Sequence, residues 1–143
     1  MTTTRRIIAV TYATAAQAVD LAMQIGAERG VRPVVSVADP SMTVIAFGMA
    51  DGATPHSVET SRRKAATAAS TRRRTALIPE AVAVALPLGT GGLLTTIDGG
   101  FPIWFGDEHA GGLGVAGGTP AQDAEIALET LRRIGARTEG MEL

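Results

Sequence analysis

Cysteine is absent from all 143 residues, so disulfides, thiolate metal ligands and cysteine nucleophiles are excluded together. Aromatic residues are scarce, at 3% of the chain: Tyr12, Phe47, Phe101, Trp104 and Phe105. A single-stranded nucleic-acid binder stacks bases on several aromatic rings, and this chain has few to offer. Neither sign of charge dominates. A net charge of −1 leaves no basic field to gather nucleic acid or anionic lipid. Long apolar runs are also missing, and none approaches the ~18 residues of a membrane span. Arg5 and Arg6 precede only a short apolar stretch, and polar residues return at Thr11, short of a secretory core segment. A cytoplasmic protein is expected, with neither nucleic acid nor membrane as partner.

Hydrophobic residues make up 45% of the chain and charged residues 19%, which belongs to globular proteins rather than disordered ones. The length suits one domain, whose usual range is roughly 100–200 residues. We expect a single domain over 1–143 with its core at about 12–135. That core must be built from Ala, Val, Ile, Leu and Met.

Apolar residues recur at helical spacing from Tyr12 to Arg29, with Thr11 or Thr14 as cap and Gly30 as stop. Strands are expected at Pro33–Ala38 and Thr43–Gly48, joined by the turn Asp39–Met42. A second helix is expected from Ser57 to about Arg73, with Glu59 in its first turn and Arg72 and Arg73 in its last. Residues 76–98 are ambiguous: Ala81–Leu86 fits helix or strand, and Pro87–Gly92 has loop composition. Further strands are expected at Leu93–Ile97, Phe101–Phe105 and His109–Ala116. Thr119, Pro120 and Gln122 form a capping box that opens a last helix ending at Gly135. The order of elements gives an α+β fold, an antiparallel sheet with helices packed on it.

Several residue groups could carry chemistry. Gly112, Gly114 and Gly117 formally match a dinucleotide fingerprint, but no parallel βαβ unit surrounds them. They serve better as points of close approach, while the helix that starts at Thr119 could offer amides to an anion. Arg62-Arg63-Lys64 and Arg72-Arg73-Arg74 lie ten residues apart, about 80° around a helix, so they form no single stripe. A solvated face explains most of them. Lys64, flanked by alanine, is the one that could enter a pocket and act as a base or hold an anion. His56 precedes a helix in a polar loop, and His109 enters a strand beside small residues. Either could ligate haem iron, as could Tyr12. Phe101–Phe105 concentrates three of the five aromatics, with Trp104 facing away from the others as core, interface or ligand wall.

Gly99-Gly-Phe-Pro-Ile103, Gly111-Gly-Leu-Gly-Val-Ala-Gly-Gly118, and Gln122-Asp123 at a helix start together resemble the haem-binding HbpS/GlcG-like family. That family includes the C-terminal domain of the PduO corrinoid adenosyltransferases. Val34–Asp39 and Lys64-Ala65 extend the resemblance upstream. It implies a profilin-like or PAS-like sandwich with a sheet of about five antiparallel strands. It also implies homo-oligomers, dimer-based hexamers or octamers, and a haem or tetrapyrrole ligand. Pro40-Ser41-Met42 stands where the family has glycine, and the first helix has no histidine, so a haem site on that helix would need Tyr12.

Three functions are therefore expected to compete. The first is a small-ligand-binding protein with haem as cofactor, using His109 as iron ligand and Trp104, Arg63, Tyr12 and Thr119 around the ligand. A pocket shared between subunits suits a thin, alanine-faced domain. The second is a cofactor-independent isomerase, lyase or hydrolase using Lys64, His56 and Glu59. The third is an accessory subunit of a partner enzyme.

Overall fold

Thr11 opens the first helix, α1 (Tyr12–Glu28): in the computed structural model, which describes residues 1–142, its hydroxyl accepts from the Thr14 amide at 3.2 Å. Thr11, not Thr14, is thus the cap, because only Thr11 has the extended backbone that a cap needs. Strands β1 (Val34–Ala38) and β2 (Val44–Met49) form the expected hairpin. The middle helix, α2 (Ser57–Thr71), stops earlier than anticipated. Arg72 adopts the left-handed conformation at φ 58° and returns its amide to Ala68, so Arg72 and Arg73 lie beyond the helix. A one-turn helix, α3 (Ala85–Gly89), follows two short 3₁₀ turns. Strands β3 (Gly100–Phe105) and β4 (Glu108–Ala116) and the last helix, α4 (Pro120–Arg133), complete the chain.

Four strands in the order β2-β1-β4-β3, all antiparallel, make the sheet, not about five. The missing one is Leu93–Ile97, expected as a strand. Its backbone groups are satisfied by threonine hydroxyls instead of a ladder. The Thr95 amide donates to Thr67 Oγ1 at 2.9 Å, and the Ile97 carbonyl accepts from Thr75 Oγ1 at 2.7 Å. With those partners in place no neighbouring strand is needed.

The two faces of the sheet are covered very differently. Val35, Val37, Phe101, Ile103, Leu113 and Val115 face α1 and α4 and form the main core with Ile25, Ile126 and Leu131. Each such side chain contributes about 1.5–3 kcal/mol on burial. On the other face α2 lies almost directly on the backbone. A Cβ at Gly112 would meet Ala65 O at 2.2 Å, and one at Gly114 would meet Ser61 O at 2.1 Å. Alanines and serines of α2 complete this contact, with Ser61 Oγ 2.8 Å from Ser36 Oγ of β1. The low aromatic content and the glycine-rich strand are thus two sides of one arrangement, a helix seated too close for side chains between.

Candidate ligand-binding site

A bulge beside the turn of the β3–β4 hairpin brings two rings to the wall of a cleft. The pairing steps from Ile103↔Gly111 to Trp104↔His109, so Ala110 is the extra residue. Ala110 turns into the core, and His109 turns to the other face beside Trp104, with ring centroids 5.1 Å apart. This places both rings just past the C-terminus of α2. The left-handed Arg72 projects its guanidinium to 5.9 Å from the Trp104 ring centre, and Arg137 reaches 4.5 Å.

The rings line a cleft of about 350 Å³ that opens to solvent. Its other walls are the N-terminal arm at Arg5–Ile8, the Pro40–Ser41 turn, and Asp107 and Glu108 of the hairpin. His109 is only 8% exposed, and neither ring nitrogen meets hydrogen-bond geometry with any group among the described residues. Burial first, and then the positive charge of Arg72, push its pKa below the ordinary 6.5, with the Gly111 backbone opposing to a smaller extent. The imidazole is therefore held neutral, the form that ligates metal. A neutral imidazole with no side-chain partner, its nitrogens covered and the Gly111 backbone beside them, thus forms part of the cleft wall. If a haem occupied the cleft, the residues that could hold it are His109 for the iron and Arg72, Arg5 and Arg6 for its carboxylates.

The other expected site residues are not gathered there. Lys64 is buried on α2, where its ammonium donates to Val115 O at 2.8 Å and to Asp123 Oδ2 at 3.0 Å. Burial pushes the Lys64 ammonium down and the Asp123 carboxyl up, each against the attraction of the other. Asp123 also accepts from the Gly118 amide at 2.8 Å. Glu59 is exposed and spends its carboxylate on Arg62 at 2.6 Å and Arg63 at 3.6 Å, which hold its pKa below the usual range. His56 is exposed at the start of α2 without capping it. Lys64 and Glu59 thus lie on α2 and His56 just before it, and among the described residues no hydrogen bond joins any two of them. Tyr12 is 71% exposed and, like Arg63, does not line the cleft. Thr119 is engaged in the capping box, accepting from the Gln122 amide while its own amide donates to Gln122 Oε1. With Asp123 on the Gly118 amide, this end of α4 fills its own anion-binding positions.

A family model described as haem degrading protein HbpS-like matches residues 10–132. The chain belongs to that family. No curated protein matches it. Among solved structures it resembles the Klebsiella pneumoniae protein ORFY at 28% identity and TM-score 0.90, over 96% of this chain and 98% of that one. It also resembles PduOC, solved as a haem complex, at 26% identity and TM-score 0.86, over 92% and 99%. A double mutant of HbpS from Streptomyces reticuli aligns at 26% identity and TM-score 0.83, over 92% and 91%.

In this HbpS-like chain the segments that carried the resemblance are architectural. Gly100, Gly112 and Gly114 admit α2, and Lys64 and Asp123 tie α2 to α4 across the end of β4. Family membership is therefore legible from the scaffold, while the cleft is built largely from other residues. Sequence reasoning singled out His109 and Trp104, which the fold brings together. It missed Asp123 as the partner of Lys64, because an acid in a first helical turn already has a reason to be there. Arg72 was read as an ordinary helix-end charge, and Arg5 and Arg6 only as charges ahead of an apolar run too short for a secretory segment. An arginine pair followed by Ile7-Ile8 is the one signal that could have flagged the arm. Among the described residues no three His, Asp or Glu side chains cluster as a metal site, and no helix is long and apolar enough to cross a membrane.

Proposed function

We propose that this protein binds haem, or a related carboxylate-bearing tetrapyrrole, in the cleft beside the β3–β4 hairpin, with His109 as the iron ligand. The observation that carries this reading is the His109 ring, which lines the cleft beside Trp104 with no side-chain partner on either nitrogen. The haem complex of the similar PduOC supports the ligand class. A volume of about 350 Å³ lies at the low end of the ~300–1,000 Å³ typical of ligand sites, and one side is open. We therefore assign the second face of the macrocycle to another copy of the chain, in a shared pocket. When bound, haem would supply redox and gas-ligand chemistry. The chain's own residues bind and orient it.

Titration with hemin tests the reading. The expected result is a saturating shifted Soret band, retained in His56→Ala and lost or displaced in His109→Ala. Sedimentation with and without hemin tests the shared pocket, which requires a dimer or larger species in the loaded protein. Absence of any Soret shift in the parent protein would remove haem as the ligand.

A further inference from the structure

Resting on the haem reading, we infer that the N-terminal arm is a carboxylate clamp: Arg5 and Arg6, which line the same cleft as Arg72, hold the acidic edge of the ligand whose centre lies on His109. Charge is the first argument. None of these three guanidinium groups forms an ion pair among the described residues, although Arg62, Arg74, Arg132 and Arg133 each have a carboxylate. Free guanidinium groups that converge on one cleft fit planar carboxylates, which they can bind through paired hydrogen bonds. Asp107 and Glu108, on the hairpin rim, repel the carboxylates of a ligand. The acidic edge of a ligand is thus directed away from the hairpin and toward the arm and Arg72.

Backbone placement is the second argument. Arg72 takes the left-handed conformation at φ 58°, a C-cap position where glycine or asparagine is the unstrained choice. An arginine held there aims its charge at Trp104 and His109 instead of continuing α2. The arm itself is the third. Residues 1–9 contain no helix or strand, and Val10 anchors them by donating its amide to Ala110 O at 2.9 Å, at the bulge that positions His109. The anchor and the ligand residue are therefore neighbours. Ile7 and Ile8 lie beside the arginines in the cleft wall, giving the arm apolar surface for a ring as well as charge for its edge.

The experiment compares hemin with haem dimethyl ester, and protoporphyrin IX with its dimethyl ester, read by Soret absorbance and by quenching of Trp104. The full chain, Arg5→Ala/Arg6→Ala, Arg72→Ala and His109→Ala are each titrated at low and high salt. In the parent protein the free acids should bind about tenfold to a hundredfold more tightly than the esters, and salt should narrow the difference. Arg5→Ala/Arg6→Ala should lose that preference for both the iron and the metal-free porphyrin while leaving ester affinity unchanged. His109→Ala should lose the iron-dependent band yet keep the acid-over-ester preference. Parent-like preference in Arg5→Ala/Arg6→Ala, with hemin still bound, overturns the clamp and leaves the haem reading standing. A parent protein that binds none of the four porphyrins overturns both. Because the arm has no regular structure, urea midpoints of the arm variants should match the parent, which separates lost binding from lost folding.

Discussion

Removing either member of the Lys64–Asp123 pair should cost far more stability than removing both. The side chains are 2% and 3% exposed and 3.0 Å apart, so Lys64→Met leaves a carboxylate in the interior with only the Gly118 amide to hold it. Breaking a buried pair in this way typically costs about 3–5 kcal/mol, because the survivor must be desolvated alone or change its protonation. Unfolding entropy of ~2.1 cal/mol/K per residue gives about 0.3 kcal/mol/K for 143 residues. The single variants should therefore melt about 10–17 °C lower. Lys64→Met/Asp123→Leu leaves no isolated charge, and its remaining losses are the hydrogen bonds to Val115 O and from the Gly118 amide, about 1 kcal/mol each. Urea unfolding followed through Trp104, the single tryptophan, measures all three variants without ligand. Losses in the single variants that simply add in the double would refute the argument, as would Lys64→Met within about 1 kcal/mol of the parent. The same series bears on the enzyme reading, in which Lys64→Met should fold normally and lose turnover. An ammonium that donates to Val115 O and Asp123 across the end of β4 is instead built as a tie between two helices.

Gly114→Ala should lose about 1–3 kcal/mol, read as a lower urea midpoint, since its Cβ would meet the Ser61 carbonyl at 2.1 Å and the Ala65 amide nitrogen at 2.5 Å. Both are backbone atoms that no rotamer change moves, so a neutral outcome would mean that α2 is not seated as described. Stability should also fall as pH drops below about 6.5. The folded imidazole of His109 titrates below that value and the unfolded one near it, so in this window the unfolded chain holds the extra proton. The slope is at most about 1.4 kcal/mol per pH unit, the value for one proton, and it should vanish in His109→Phe when urea midpoints are compared between about pH 7 and 5. Thr119→Ala should lose about 0.5–2 kcal/mol from the cap of α4 while leaving hemin affinity unchanged, because Thr119 is outside the cleft. Weakened hemin binding by a stable Thr119→Ala would relocate the site.

Local signals alone fixed the elements whose caps and periods agree: α1, the β1–β2 hairpin and α4 with its Thr119–Gln122 box all form where spacing placed them. Glycine spacing in β4 was equally legible as a family mark, since close approach of a helix leaves glycine as the one residue that fits. Leu93–Ile97 misled because a strand needs a neighbour, and the residues of the segment cannot report that Thr67 and Thr75 already satisfy its backbone. His109 and Trp104 were visible as candidates, but their meeting depends on the one-residue bulge at Ala110, which reverses the face of a side chain without altering composition. Arg5, Arg6 and Arg72 were invisible as a group for a related reason. They lie more than sixty positions apart along the chain, roughly 66 between Arg6 and Arg72 by sequence numbering, and only the anchoring of Val10 on Ala110 and the left-handed turn at Arg72 bring them to one cleft. The sequence by itself determined the scaffold, through local propensity and steric demand. Only the tertiary structure decided the cleft, because its charge and its unpartnered imidazole arise from contacts between distant segments.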